Sequence, residues 1–377
     1  MILLVFMKSI VLFINGLTSG GAEHQLVELA DGLAERGYDV TITTFSDVTD
    51  HYKYSPKIKR HHIAKGRSKL FKLLGIFLYF IFLKTDCVIS FGQRANYFCL
   101  IPLCYRSRKK IRVIAGERNT TVGPSSSIER KLLDKYYKRA EFIVPNSYSQ
   151  RNYIIKVNPE YTSKTIPITN FTNLNDFTAS PLPEGEILRI VVFGRYDKQK
   201  NCIRFTEAIH ELIQKTENSF VVEWYGNQSF KDKEPNPFYQ EMNNKVIELG
   251  LQDTLILKDQ TKDVSSIMKT YDAFCLPSLW EGFSNAIGEA ICCGRPCLVS
   301  DVSDNGVMVQ DGLNGFLFDP QSIDDIVAAF LKFFRLSKDE RATMGKESRK
   351  RAEMLFNKKR FINSYEILIN SDIKDEK

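Results

Sequence analysis

Short, mostly apolar runs recur along this chain: residues 8–15, 40–45, 87–90, 111–115 and 142–145, then 187–193, 220–225, 255–257, 273–276, 297–300 and 316–318. Each is rich in Val, Ile, Leu, Phe or Cys and ends in a glycine or a polar cluster, as strands buried on both faces do. Between them apolar residues return every three or four positions, as in Leu26, Leu29, Ala30 and Leu33, or Ile128, Leu132, Leu133, Tyr136 and Tyr137. That is the period of a helix with one buried face. Strands alternating with helices predict parallel α/β units. Two more helical patterns, residues 322–334 and 339–356, precede a C-terminal tail.

The clearest unit is residues 272–301, DAFCLPSLWEGFSNAIGEAICCGRPCLVSD. Residues 273–276 read as a strand ended by Pro277 and Ser278. Ser284 or Asn285 caps a helix reaching Cys293. Gly294 suits a left-handed helix terminus, Pro296 forbids continuation, and residues 297–300 form the next strand. In such a unit the ligand sits outside the carboxyl ends of the strands, facing helix N-termini. Glu281 in the loop and Glu289 in the helix therefore belong to one ligand-facing corner. Carboxylates accept hydrogen bonds from hydroxyls, so the corner suits a polyol better than an anion.

A length of 377 residues favours two domains. Residues 171–188 contain Pro181, Pro183 and Gly185 with little periodicity, which marks a linker. The expected division is a first domain over 1–180, a second over 187–355, and a C-terminal helix over 356–377 that packs back on the first. None of the eight cysteines forms a C-x-x-C pair, and no histidine lies near Cys292, Cys293 and Cys297. Buried reduced thiols fit better than a zinc site, and they fit a cytoplasmic location. The apolar start is ambiguous: neither the basic region nor the small-residue cleavage site of a signal peptide is clear, and Met7 reads as an alternative start.

The net charge of +7 is uneven. Residues 51–72 hold eight Lys or Arg and no acid, residues 104–112 hold five more and no acid, and residues 73–83 between them carry no charge. Eleven such residues are too few to span a bilayer, which needs about 20. Two readings stay open: a buried helix, or a basic and apolar surface resting on anionic lipid at the inner face of the membrane. No recognition module supports nucleic acid as a partner.

Candidate chemistry gathers at other strand ends. Gly20 and Gly21, ahead of a helix that carries Glu23, let backbone N–H groups approach a phosphate, although a tight turn explains them equally. Residues 111–115 end in Gly116-Glu117-Arg118-Asn119, where Arg118 reaches a ligand or simply holds Glu117. Residues 187–193 end in Gly194 and Arg195, with Lys200 five positions on. A planar guanidinium and a point ammonium leaving one strand end can together hold a diphosphate.

The ordered set Gly194-Arg195…Lys200-Asn201, Glu281-Gly282-Phe283…Glu289-Ala290 and Gly294-Arg295-Pro296 resembles the retaining GT-B glycosyltransferases of family 4, group 1. Gly116-Glu117-Arg118-Asn119 is similar to a segment of those that build bacterial polysaccharides and lipid-linked oligosaccharides. The resemblance implies two Rossmann-like α/β domains facing across a cleft. It implies transfer from a nucleotide-diphosphate sugar, UDP- favoured over GDP-, to a glycan or polyprenyl-linked acceptor with retention of configuration.

In that reading Gly20, Gly21, Gly194, Gly226, Gly282, Phe283, Ser284 and Asn285 line the donor. Arg195 and Lys200 meet the diphosphate, Glu281 the donor sugar and Glu289 the ribose, while Glu23, Glu117, Arg118 and Asn119 face the acceptor. Only Gly226 stands where the family usually has two glycines. With two cations at the leaving group and no D-x-D triplet, neither a metal nor another cofactor is expected. A sugar-nucleotide epimerase or hydrolase, and a noncatalytic binding protein, remain alternatives. A nicotinamide dehydrogenase would need a G-x-G-x-x-G fingerprint that is absent.

Overall fold

The computed structural model describes residues 7–18, 20–106, 111–118, 134–229 and 234–371. The chain divides into one unit of Met1–Asn170 with Lys358–Lys377, and a second of Phe171–Asn357. The first contains strands β1 (Ser9–Ile14), β2 (Asp39–Thr44), β3 (Lys59–His62), β4 (Cys87–Phe91), β5 (Arg112–Glu117) and β6 (Phe142–Pro145). They pair in parallel in the order β3-β2-β1-β4-β5-β6. The second contains β7 (Leu188–Phe193), β8 (Phe220–Gly226), β9 (Leu255–Asp259), β10 (Ala273–Leu276), β11 (Cys297–Ser300) and β12 (Gly315–Phe318), ordered β12-β11-β10-β7-β8-β9.

Both orders are the doubly wound 3-2-1-4-5-6 arrangement, so each sheet reverses its winding once, between β1 and β4 and between β7 and β10. The central strands, such as β4, β5, β10 and β11, are buried on both faces. Phe13, Val88 and Val113 sit in the core of the first unit and Ile190, Trp224 and Cys275 in that of the second. Seven of the eight cysteines are buried, and only Cys104 is exposed. Burial pushes the Cys87 thiol up to about 12.

Three features differ from the sequence reading. The division falls at Asn170 rather than 180, because the linker is pinned to the second unit. Arg295, fully buried, donates to the Ser180 hydroxyl at 2.9 Å and the Pro181 carbonyl at 3.1 Å, and Lys269 donates to Thr178 at 2.8 Å. Strand β3, made of Lys59-Arg60-His61-His62, has no apolar run and went unread. It is an edge strand, where charge blocks pairing with other chains.

The third concerns Arg112, which does not join the basic surface. Its guanidinium points inward and binds the carbonyls of Leu368 and Ile369 at 2.5 and 2.9 Å, at the end of helix Lys358–Asn370. Cations are favoured at a helix C-terminus. That helix lies in the first unit, and its Glu366 accepts from the Tyr38 hydroxyl at 3.0 Å.

The uncharged run is part of helix Lys69–Phe82, and it is not a buried helix: only Ile76 and Phe80 are enclosed. Lys59, Arg60 and Lys72 are paired with Asp39, Asp50 and Asp47. Among the described residues no helix is long and apolar enough to cross a membrane.

Candidate functional site

The second unit brings its chemistry together where its sheet reverses winding. Strand β7 ends at Phe193, Gly194 follows, and the chain turns through Lys198–Lys200. The Asp197 carboxylate accepts from the Lys200 N–H at 3.0 Å, capping the start of this short turn and setting the direction of Lys200. Asn201 follows in the left-handed conformation, φ 61°, and is tied by its side-chain amide to the Pro320 carbonyl at 2.8 Å. Helix Cys202–Lys215 begins there.

Strand β10 delivers the other half. Lys200 Nζ lies 2.5 Å from Glu281 Oε1, and the two side chains are only 12% and 9% exposed. Gln199 ties the two loops together: its side-chain amide donates to the Trp280 carbonyl at 2.8 Å, and its own carbonyl accepts from the Leu279 N–H at 2.8 Å. Strand β11 adds Ser303, whose hydroxyl accepts from the Glu281 N–H at 3.2 Å; Ser303 has a φ of 53°. Three strand ends thus converge on Glu281.

The side-chain cations of Arg195 and Lys200 do not share a partner. The Arg195 side chain is 67% exposed and is held at 3.1 Å by Asp197 and at 3.2 Å by Gln199. Gly194 gives the Lys200 stem room, since a Cβ there would lie 3.3 Å from Lys200 Cδ. Gly226 has a packing role: a Cβ would collide with the Gly194 carbonyl oxygen.

Helix Asn285–Cys292 starts at Ser284, whose hydroxyl accepts from the Ile287 N–H at 3.5 Å. Gly282 is half-buried, as is Asn285, and Phe283 packs edge-on to Phe356 with centroids 6.4 Å apart. Glu289, on the same helix, keeps part of its surface accessible. Its carboxyl has neither a hydrogen bond nor an ion pair among the described residues, and burial pushes it up to about 8. Glu223 is the contrast. Burial opposes its ionisation too, but Lys258 at 2.6 Å and the Tyr271 hydroxyl at 2.5 Å hold it below the usual carboxylate range. A satisfied carboxylate reads as structural, whereas a buried one without a partner is a candidate for contact with a ligand.

In the first unit Gly20 caps helix Gly21–Glu35. A Cβ at Gly20 would collide with the Glu23 carboxylate, which folds back to accept from Thr18 Oγ1 at 2.9 Å. At the end of β5 Glu117 is buried and accepts from the Tyr137 hydroxyl. That hydroxyl also lies 3.2 Å from Asn96, which Ser90 holds at 2.6 Å.

Arg118 does not hold Glu117. Its guanidinium lies 3.8 Å over the Phe91 ring and donates to the Tyr365 hydroxyl, while its Nε and Nη1, both buried, have no partner among the described residues. Asn119 lies outside the described residues. Among the described residues no His, Cys, Asp and Glu group is placed to hold a metal ion.

The reading missed Asp197, Gln199 and Ser303. Asp197 three residues ahead of Lys200 is the spacing of a side-chain N-cap. Nothing local marks Gln199 or Ser303, whose partners come from other strands.

The model of "Glycosyl transferases group 1" matches residues 175–351, and that of "Glycosyltransferase Family 4" matches residues 19–175. An Escherichia coli UDP-Gal:α-D-GlcNAc-diphosphoundecaprenol α-1,3-galactosyltransferase is 34% identical over 142 residues, 37% of this chain and 34% of its own. A Campylobacter jejuni α-1,4-N-acetyl-D-galactosaminyltransferase, named for an acceptor on diNAcBac-PP-undecaprenol, is 25% identical over 98% of this chain and 97% of its own. Among solved structures, sucrose-phosphate synthase from Thermosynechococcus elongatus superposes with a TM-score of 0.79 at 19% identity, covering 96% of this chain and 98% of its own. Anabaena HepE, crystallised with UDP and glucose, gives 0.79 at 16%, covering 97% and 100%.

Proposed function

Because the chain belongs to the family 4, group 1 glycosyltransferases of GT-B fold, we propose that it moves a sugar from a nucleotide-diphosphate sugar to a lipid-linked saccharide in surface polysaccharide synthesis, with retention of configuration. The observation that carries the reading is the nearly enclosed Lys200–Glu281 pair where the loops leaving two adjacent strands meet. Two relatives are named for undecaprenol-diphosphate acceptors, one of them for UDP-Gal, which supports the acceptor class and a UDP donor.

Breaking the sugar–phosphate bond leaves negative charge on the diphosphate and positive charge on the sugar. Lys200 is held where it can meet the first, and the exposed Arg195 swings in from solvent as a second cation. Glu281 accepts from donor-sugar hydroxyls once Lys200 turns to phosphate, and Glu289 takes the ribose hydroxyls it lacks in the free protein. Gly194, Gly226, Gly282, Phe283, Ser284 and Asn285 frame the donor. Glu23, Glu117 and Arg118 serve the acceptor. No metal or other cofactor is required.

The test titrates purified protein with UDP-, GDP-, ADP- and CMP-sugars, with and without polyprenyl-diphosphate saccharides and with a chelator. Nucleotide release, and product anomeric configuration by NMR, are read. Release from a UDP-sugar only with lipid-linked acceptor, unaffected by chelator and with the donor's configuration kept, is the expected result. Consumption without acceptor would instead assign an epimerase or hydrolase, and binding without turnover a binding protein.

A further inference from the structure

Helix Lys69–Phe82 presents Leu70, Phe71, Leu74, Phe77, Leu78 and Phe82 to solvent, Leu70 being 76% and Phe71 63% exposed. Their spacing of i, i+1, i+4, i+7, i+8 and i+12 makes one continuous apolar stripe, about 20 Å long at 1.5 Å per residue. The opposite face is anchored. Ile76 and Phe80 lie in the core of the first unit, the Tyr79 hydroxyl meets Thr43 at 3.1 Å, and a Cβ on Gly75 would lie 3.3 Å from Ile63 and Ala64. Arg106 binds the carbonyls of Phe80 and Ile81 at 3.0 and 2.7 Å, securing the helix C-terminus. The helix is thus fixed by its inner side, while Leu70, Phe71, Leu74, Phe77 and Leu78 keep much of their surface exposed.

Charge decides what covers the stripe. Lys65, Arg67 and Lys69 precede the stripe and Lys84 follows it; all four are exposed and without an ion pair among the described residues. No acid occurs between Asp50 and Asp86. A second copy of the chain would bring the same cations to the same edge and be repelled. A bilayer with anionic headgroups offers acyl chains to the stripe and counter-charges to both its ends. We propose that this face docks in the interfacial plane of an anionic lipid bilayer, the six Leu and Phe side chains at the acyl boundary and the four cations among the headgroups. The inference goes beyond the transfer reaction and does not depend on it.

Flotation of the full chain with phosphatidylcholine vesicles, alone or mixed with phosphatidylglycerol, tests this directly. Binding to the mixed vesicles is expected, falling steeply as salt rises from about 0.1 M to about 1 M and the Debye length shrinks from ~10 Å to ~3 Å. Arg67→Glu with Lys69→Glu should lower affinity at least about tenfold, each cation near the surface being worth roughly a factor of five. Leu74→Glu with Phe77→Glu should abolish binding with an unchanged thermal melt. Phe77→Trp, which keeps the face apolar, should gain a blue-shifted emission on the mixed vesicles.

Equal binding to neutral vesicles, no binding at all, or an unmoved Trp signal would overturn the proposal. If light scattering shows a dimer that the Glu pair dissolves, and no vesicle binding, the face belongs to a second copy instead. Each readout is vesicle binding or mass, so donor turnover can fail without affecting it.

Discussion

Lys200 on the loop leaving β7 and Glu281 on the loop leaving β10 are 81 residues apart in the chain and 2.5 Å apart in space, Nζ to Oε1. The contact is possible because β7 and β10 are adjacent, parallel and at the point where the sheet reverses winding, so both loops open on the same side. A nearly enclosed pair of this kind adds little net stability, but losing one partner strands the other.

Lys200→Ala should therefore cost about 3–5 kcal/mol in chemical unfolding by leaving Glu281 uncompensated. Lys200→Met with Glu281→Gln should restore most of it. Calorimetry should show donor binding weaker by about 2–4 kcal/mol in both. If the double variant binds donor like the parent, the pair is structural only.

Glu289 carries a pH signature. Its folded value is raised from the ordinary 4.5 to about 8 by burial. The folded state therefore binds a proton that the unfolded chain has released across that window. The stabilising term is fully present below about pH 4.5, declines as pH rises, and is gone above about 8, at up to about 1.4 kcal/mol per pH unit. Glu289→Gln, always neutral, should be more stable than the parent at pH 9 by a margin that closes toward pH 4.5. In the proposed role it should also weaken nucleotide binding. A constant stability difference across the range would remove the burial argument.

Arg118 has two buried guanidinium nitrogens, Nε and Nη1, with no partner among the described residues. Arg118→Met fills similar volume without that desolvation cost, so stability should be unchanged or higher. Acceptor KM should rise while donor affinity stays put. A loss of stability with unaltered acceptor kinetics would make Arg118 a packing residue.

Gly226→Ala places a Cβ against the Gly194 carbonyl, which is backbone and cannot turn aside. Thermal unfolding should register a loss of about 1–3 kcal/mol. Donor affinity should fall too, since Gly194 lies beside Lys200. An unshifted melting temperature would mean that the loop relaxes freely.

Much of the fold was legible from local signals. The apolar runs became strands, Gly294 took the left-handed φ of 70° that its place before Pro296 asked for, and Ser284 capped its helix. Glycines, prolines and caps act within a few residues, so a sequence displays them openly. Strand β3 was invisible because an edge strand of four charged or histidine side chains has no apolar period. What the sequence could not decide was which polar groups meet. Glu281 takes Lys200 and Ser303, Arg118 leans on Phe91 and Tyr365 rather than on Glu117, and Arg112 seals a helix end instead of extending a basic surface. Those choices depend on strand order and on desolvation, both properties of the packed molecule. The same holds for helix Lys69–Phe82: its composition left burial and exposure equally open, and packing turned only one of its faces to the core.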